Sequence, residues 1–439
     1  MGGGPDPAAA QPVLTPGGRA ARDRVAMFGS LRTRNYRLFA TGQVVSNTGS
    51  WMQRVAQDWL VLNLTHNSGT ALGITTGLQF APMMLSLWGG AVADRHSKRL
   101  ILMVTQVLMG ALALILGVLA LTGAVRIWQV YLLAFVLGLI TVVDNPTRQA
   151  FAVEMVGTDG LANAIALNSA VFNLARIAGP AVAGLVIAAV GTPAAFLVNA
   201  GSYGAVLVSL KLMRPGELVR VERAPRARGQ LREAMGYVRA RPRLWMTLIL
   251  IFFVSTFGMN FQVTTALMSR GVFHTGPGAF GLASAIFAFG ALGGALIAAR
   301  RGRPTLALLV ATSLLFSVFE ICSGFMPDYL TFVLMLVPTG LALLTLTTAA
   351  NSTMQLGTTG AMRGRVMGLY MLVFLGGTPL GSPLAGWVAE VFGPRMVLIS
   401  GGVIALVATI VVGLLLARRA GIQLRSYLRP GRLARLLAA

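Results

Sequence analysis

Long apolar runs recur along the chain, each near the length of a membrane-crossing helix and each closed by a short connection bearing Gly, Pro or charge. About 20 consecutive, mostly apolar residues carry a helix across the hydrocarbon core of a bilayer. Runs of that kind lie at 38–64, 71–91, 100–120, 128–147, 164–190, 194–212, 245–268, 278–299, 305–325, 330–350, 366–390 and 396–416. The first and the fourth are the least apolar. The pattern predicts an all-α integral membrane protein with twelve transmembrane helices.

The runs fall into two sets of six. Between the sets lies the longest connection, Lys211 to Arg243, which is basic and contains Pro215, Pro225 and Pro242. The stretch from Ala183-Gly184 to Gly191 matches that from Ala385-Gly386 to Gly393 at an offset of 202, and Gly90-Ala-Val matches Gly294-Ala-Leu at 204. Parallel repeats imply two pseudo-symmetric six-helix bundles about an axis along the membrane normal. Substrate then binds near the midplane between them, and rocking of the bundles alternates access. The expected organisation is a disordered cytoplasmic N-tail over 1–35, a bundle over 36–212 and a basic cytoplasmic linker over 213–243. A second bundle over 244–416 and a basic cytoplasmic C-tail over 417–439 follow. Within the linker, Leu231–Tyr237 reads as an amphipathic piece.

Charge sets the orientation. Only 11% of the 439 residues are charged, against about 25% in soluble globular chains. The net charge of +23 does not point to nucleic acid, because the cations cluster in connections between apolar blocks. With the N-terminus inside, 31 of the 36 Lys and Arg residues fall in the tails and cytoplasmic connections, which is the positive-inside distribution. Both termini are therefore expected in the cytoplasm of a cell with a bacterial-type inner membrane. The single Cys322 and the scattered His66, His96 and His274 offer no disulfide framework and no metal-ligand spacing. No Walker-type phosphate loop occurs, and no cofactor is implied.

Between spans two and three stands Gly90-Ala-Val-Ala-Asp94-Arg95-His-Ser-Lys98-Arg99. Gly90 permits close helix approach, Asp94 offers a carboxylate at the membrane face, and Arg95, Lys98 and Arg99 anchor the segment inside. The stretch resembles the loop signature of the major facilitator superfamily, with Ser97 where that family prefers Gly. The run from Asp144-Asn-Pro146-Thr-Arg148 through Phe172-Asn173 and Arg176 to Gly179-Pro180-Ala-Val-Ala-Gly184 adds to the likeness, as do Gly42-Gln43, Trp51-Met52-Gln53 and Trp59-Leu-Val-Leu. Together they resemble the secretion-effector branch of the superfamily, which includes the enterobactin exporter and macrolide efflux proteins. The resemblance covers roughly residues 30–416. It implies a proton-coupled secondary active exporter of a small amphipathic molecule, such as a drug, siderophore or secondary metabolite. It also implies that the Asp94 loop locks the inward face by pairing with the other half, either near Arg363 or Arg365 or with the N-terminal dipole of span eleven, and that Gly179, Pro180 and Gly184 form a hinge in span five. An importer or facilitator of the same fold is the alternative. A receptor or membrane enzyme would need a folded soluble domain or a clustered polar constellation on facing spans.

Span one carries a polar stripe. Gln43, Ser46, Asn47, Ser50, Gln53, Arg54, Gln57 and Asp58 fall within about 140° of arc at 100° per residue. Lipid cannot satisfy these groups, so the stripe faces a water-filled cavity or another helix. Arg54 and Asp58 are one turn apart and are expected to pair. Arg148 and Arg176 both need a counter-ion, and Asp144 is the economical one. Glu320 has no cation near it in sequence, and Glu390 is expected to be solvated at a boundary. The candidate substrate cavity thus comprises Gln43, Asn47, Ser50, Arg54, Gln57, Arg148, Asn173 and Arg176. The proton-coupling candidates are Asp58, then Asp144, then Glu320. The partners expected are a small-molecule substrate, protons and the lipid bilayer, with the chain acting as a monomer.

Overall fold

The computed structural model describes residues 29–157, 160–219, 230–300 and 305–419. All regular structure among them is helical. Twelve spans are present, and ten of them are single stretches long and apolar enough to cross a membrane. Span one (Arg34–Leu64) falls outside those ten because its polar stripe lowers its hydropathy. Span two falls outside for another reason: it is built from Gly69–Phe80 and Ser86–Arg95, joined by a 3-10 turn at Ala81–Leu85. Pro82 lacks an amide hydrogen and interrupts the helical ladder there. The fourth span, expected to be among the weakest, is a continuous helix from Ile127 to Val156, longer than its apolar run. It extends because Asp144, Thr147 and Arg148 find partners within the protein and need no water.

Spans three, five and six follow as Lys98–Leu121, Leu161–Val190 and Thr192–Leu212. Span seven (Pro242–Val272) is interrupted by π-helical turns at Val254–Gly258 and Met268–Val272. Spans eight to twelve are Pro277–Arg300, Leu306–Phe325, Tyr329–Leu356, Gly360–Phe392 and Pro394–Arg419. Residues 29–35, expected in a disordered tail, are anchored to the first bundle. The Ser30 backbone N–H donates to Asn163 Oδ1 at 2.9 Å, and Asn35 exchanges hydrogen bonds with the Arg214 backbone at 3.0 Å. Residues 1–28 and 420–439 of the expected tails lie outside the described residues, as does 220–229 of the linker. The amphipathic linker piece is a helix at Gln230–Arg239, held to span eleven by a 2.6 Å ion pair between Glu233 and Arg365. Apolar side chains such as Trp128, Leu132, Phe289 and Leu296 stay exposed on the outer faces, as lipid-facing positions do.

The two bundles meet along seams of small residues. Span two lies against span eleven, where Gly73 faces the Ser382 backbone and Gly77 faces Pro383. Span five lies against span eight, where Gly184 faces Gly278 and Gly281 faces the Pro180 carbonyl. No side chain fits at these crossings, so the helix backbones come into direct contact. Pro180 sits inside the unbroken helix of span five, and the Gly179–Gly184 segment forms a packing seam with spans one and eight.

Candidate transport cavity and the seal between the halves

The seams lie toward the end of the bundle opposite the described chain termini. Polar contacts reinforce them. Gln262 of span seven donates to Asp58 Oδ2 at 2.8 Å. Arg270 donates to Asn63 and lies over the Trp59 ring at 4.9 Å. Trp59 stacks on Phe280 of span eight. Glu390 of span eleven, although exposed, takes hydrogen bonds from Ser68 Oγ (2.8 Å) and the Thr70 N–H (3.0 Å), closing on the first turn of span two. These contacts all cross from one half to the other, and they seal that end.

Below the seal lies a cavity of about 480 Å³. Apart from Leu375 of span eleven, its lining comes from the first half. Span one contributes its stripe, including Gln43, Asn47, Ser50, Arg54 and Gln57, and Asp144 and Arg148 line it from span four. Asn173 and Arg176, two other expected lining residues, are not in it. Asn173 bonds the Ser169 carbonyl, and Arg176 has Nε and one Nη buried without a hydrogen-bond partner.

The expected ion pair between Arg54 and Asp58 does not form. Asp58 is turned toward span seven and taken by Gln262. Arg54 instead lies with its guanidinium 4.7 Å from the Trp51 ring centroid and 5.7 Å from that of Phe80, a cation–π arrangement. Asp144, by contrast, is saturated. It pairs with Arg148 at 2.5 Å and accepts from Thr105 (2.7 Å) and Gln106 (3.0 Å), while Arg148 also reaches Gln43. Of the two arginines weighed against Asp144, Arg148 is its partner. Glu320 is buried in the second bundle with Oε2 lacking any hydrogen bond. Its carboxylate is confined by the backbones of Gly258 and Gly401, well away from the cavity lining.

The motif between spans two and three is tied chiefly within the first half. Lys98 pairs with Glu154 of span four at 2.6 Å, and Arg99 donates to the Leu210 and Lys211 carbonyls ending span six. Arg365, one partner expected for Asp94, is engaged by Glu233. Asp94 is half-buried.

Sequence reasoning did not find Gln262, Gln79, Tyr203 or the Glu390 clasp. Gln262 carried a usable signal: it stands 204 residues after Asp58, the offset that relates Gly90 to Gly294.

Known proteins agree with this architecture. The bacterial homologue of the human lysosomal transporter Spinster, solved in an inward-facing and unoccupied conformation, superposes with a TM-score of 0.70 at 17% identity, covering 87% of this chain and 96% of that one. The staphyloferrin A transporter of Staphylococcus aureus is 32% identical over 167 residues, which span 37% of this chain and 42% of that protein. The multidrug efflux pump Tap of Mycolicibacterium fortuitum is 28% identical over 374 residues, 81% of this chain and 89% of that protein. The family profile described as transmembrane secretion effector matches residues 25–425. With its twelve spans in two bundles, the chain belongs to the transmembrane secretion effector family of major facilitator transporters.

Proposed function

We propose that this chain exports a small organic molecule across a bacterial cytoplasmic membrane in exchange for protons, as a monomer that performs no chemistry on its cargo. The names of the efflux relatives support the direction of transport. With Arg148 inside span four, 30 of the 36 cations remain in the tails and at the cytoplasmic ends and connections of the spans, which supports cytoplasmic termini. With the termini inside, the structure is the inward-facing state, sealed outside and open to the cytoplasm. The Gly90–Arg99 segment is then the inner gate, which closes against span eleven when the cavity turns outward.

One observation carries the coupling assignment: Asp58 adjoins the cavity stripe and also accepts a hydrogen bond from Gln262 of the opposite half. Rocking the halves apart at the outer end breaks this contact and bares the carboxylate to the outer medium, where it takes a proton. Resealing returns it to the cavity side, where the proton leaves. Asp144 already has an ion pair and two further donors, and Glu320 touches neither the cavity lining nor the seal. Asp58 therefore stands first among the three.

The test uses the full chain in inverted proteoliposomes, a proton gradient, and a panel of cationic, neutral and anionic fluorophores. Accumulation should require the gradient and collapse with a protonophore. Asp58→Asn should reduce gradient-driven accumulation at least tenfold while the protein still melts cooperatively. Undiminished, gradient-dependent accumulation by Asp58→Asn would move the coupling site elsewhere, and accumulation indifferent to protonophore would remove proton exchange altogether.

A further inference from the structure

The chemistry of the cavity wall restricts what it can hold. Asp144 is the one carboxylate in the lining, and its oxygens are taken by Arg148, Thr105 and Gln106. No anionic side chain is left in the lining to receive a cation. Arg54 adds positive charge to the wall: it makes no ion pair and no side-chain hydrogen bond among the described residues, its guanidinium lies over aromatic rings, and the carboxylate that acts on it from one turn away, Asp58, lies outside the lining and is taken by Gln262. A lipophilic cation entering here meets Arg54 in the wall and no free carboxylate among the lining residues.

Neutral donors and acceptors are abundant instead. Asn47, Asn145 and Gln149 line the cavity and make no side-chain hydrogen bond within the described chain. Gln57 donates to Gln79 at 3.3 Å, leaving the Gln57 oxygen and the Gln79 amide hydrogens for other partners. A carboxamide offers one acceptor and two donors on adjacent atoms. That suits vicinal hydroxyls, each of which donates and accepts at once. Beside the amides stand the ring faces of Trp51, Phe80 and Phe172, and Tyr203 presents a hydroxyl 3.2 Å from Ser50. Flat apolar faces next to a comb of amides match a molecule that carries ring C–H or aromatic surface on one side and several hydroxyls on the other.

Resting on the export reading above, we infer that the cargo is an uncharged, polyhydroxylated molecule with an apolar ring face, of the glycoside type. The amides and Arg54 bind its hydroxyls, the aromatic rings stack on its apolar face, and lipophilic cations are disfavoured. Being neutral, such a cargo leaves the proton as the sole charge moved in each exchange.

The experiment compares three fluorescent probes on the purified full chain: 4-methylumbelliferyl β-glucoside, its hydroxyl-poor counterpart 7-methoxy-4-methylcoumarin, and ethidium. Binding is read by quenching of protein fluorescence and by thermal stabilisation, and accumulation is read in the proteoliposomes described above. The glucoside should bind at least tenfold more tightly than the methoxycoumarin, and ethidium should not displace it. Asn47→Leu with Gln149→Leu should erase the preference for the glucoside. Neither side chain makes a hydrogen bond among the described residues, so the melting temperature should stay within a few degrees and loss of binding cannot be put down to unfolding. Equal binding of the two coumarins, no binding of the glucoside, or displacement of it by ethidium would each overturn the inference. Gradient-driven accumulation of ethidium without that of the glucoside would leave the export reading standing and remove this one alone.

Discussion

Spans one and seven hold equivalent places in the two repeats, and Asp58 and Gln262 are equivalent positions that meet each other across the pseudo-axis. The two helices dispose of their polar groups in different ways. Span one runs unbroken from Arg34 to Leu64 and turns amides and a guanidinium into the cavity. Span seven breaks twice into π turns and folds some of its polar groups onto nearby backbone. Asn260 donates to the Thr256 carbonyl at 2.9 Å, and Thr264 donates to the Asn260 carbonyl at 3.0 Å. Ser382 of span eleven then closes on Asn260 at 3.0 Å. The first half is built to leave polar groups free for a ligand. The second turns Asn260 and Thr264 onto its own backbone, leaves the Thr256 and Ser269 hydroxyls buried without a partner among the described residues, and supplies the opposing wall, with Gln262, Arg270 and Glu390 reaching across.

The seams should ignore this division of labour, which gives the largest expected effect. Gly77 and Gly281 are equivalent positions, one facing Pro383 and the other the Pro180 carbonyl. A side chain at either forces the outer seal open. Overpacking a tight contact costs about 1–3 kcal/mol, enough to shift a two-state equilibrium by roughly five- to 150-fold. Gly77→Leu and Gly281→Leu should each reduce transport to background and make a Cys placed at Ala389, which is buried against Gly69 in the seam, reactive to a membrane-impermeant thiol reagent. A large loss for one and none for the other would show that the halves do not close as equivalents.

The two fully buried carboxylates away from the seal, Asp144 and Glu320, should separate more sharply. Asp144 holds Arg148 in an ion pair with side-chain exposures of 3% and 20%. Removing one partner of such a pair strands the other charge at about 3–5 kcal/mol. Asp144→Ala should therefore lower the thermal midpoint by many degrees, and Asp144→Ala with Arg148→Ala should recover much of the loss. Glu320 has no cation among its contacts and an orphaned Oε2, so Glu320→Gln should change stability by less than about 1 kcal/mol. A Glu320→Gln variant as damaged as Asp144→Ala would mean that the second half relies on its carboxylate as the first half does.

How much of this was legible in the sequence follows from what each signal depends on. Span positions depend on runs of apolar residues, and those read directly. Span two was read correctly as the run 71–91, but its division at Pro82 into two shorter helices was not, because a hydropathy run does not register a local break in the ladder. The stripe of span one was legible because helical periodicity alone brings its members to one face. The partners within the stripe were not. One-turn spacing pointed Arg54 at Asp58, but Trp51 and Phe80 hold the guanidinium while a residue 204 positions away takes the carboxylate. The Asp144–Arg148 pair has the same spacing and did form, since no group from the other half competes for it. Contacts across the axis, including the Glu390 clasp, depend on how the halves dock, which no local pattern encodes.

The smallest effect concerns the outer ends of spans four and ten, again equivalent places capped in different ways. The Arg126 backbone N–H donates to Gln129 Oε1 at 2.7 Å at the start of span four. At the start of span ten the Asp328 carboxylate accepts from the Thr331 N–H at 2.9 Å. That backbone hydrogen bond, the largest of several influences, lowers the Asp328 pKa below its ordinary value. A carboxylate whose pKa falls on folding adds stability that is fully present above its unfolded pKa of about 3.9. The contribution fades as pH drops through the folded value. Asp328→Asn keeps an acceptor for Thr331 but removes the charge at the helix N-terminus. The variant should melt slightly below the parent at pH 7, and the gap should close as pH falls from about 5 toward 3. Gln129→Ala should lower the midpoint by a similarly small amount with no pH dependence over that range, because the cap of span four carries no titrating group. A gap between Asp328→Asn and the parent that stayed constant across the titration would show that both caps act through hydrogen bonding alone.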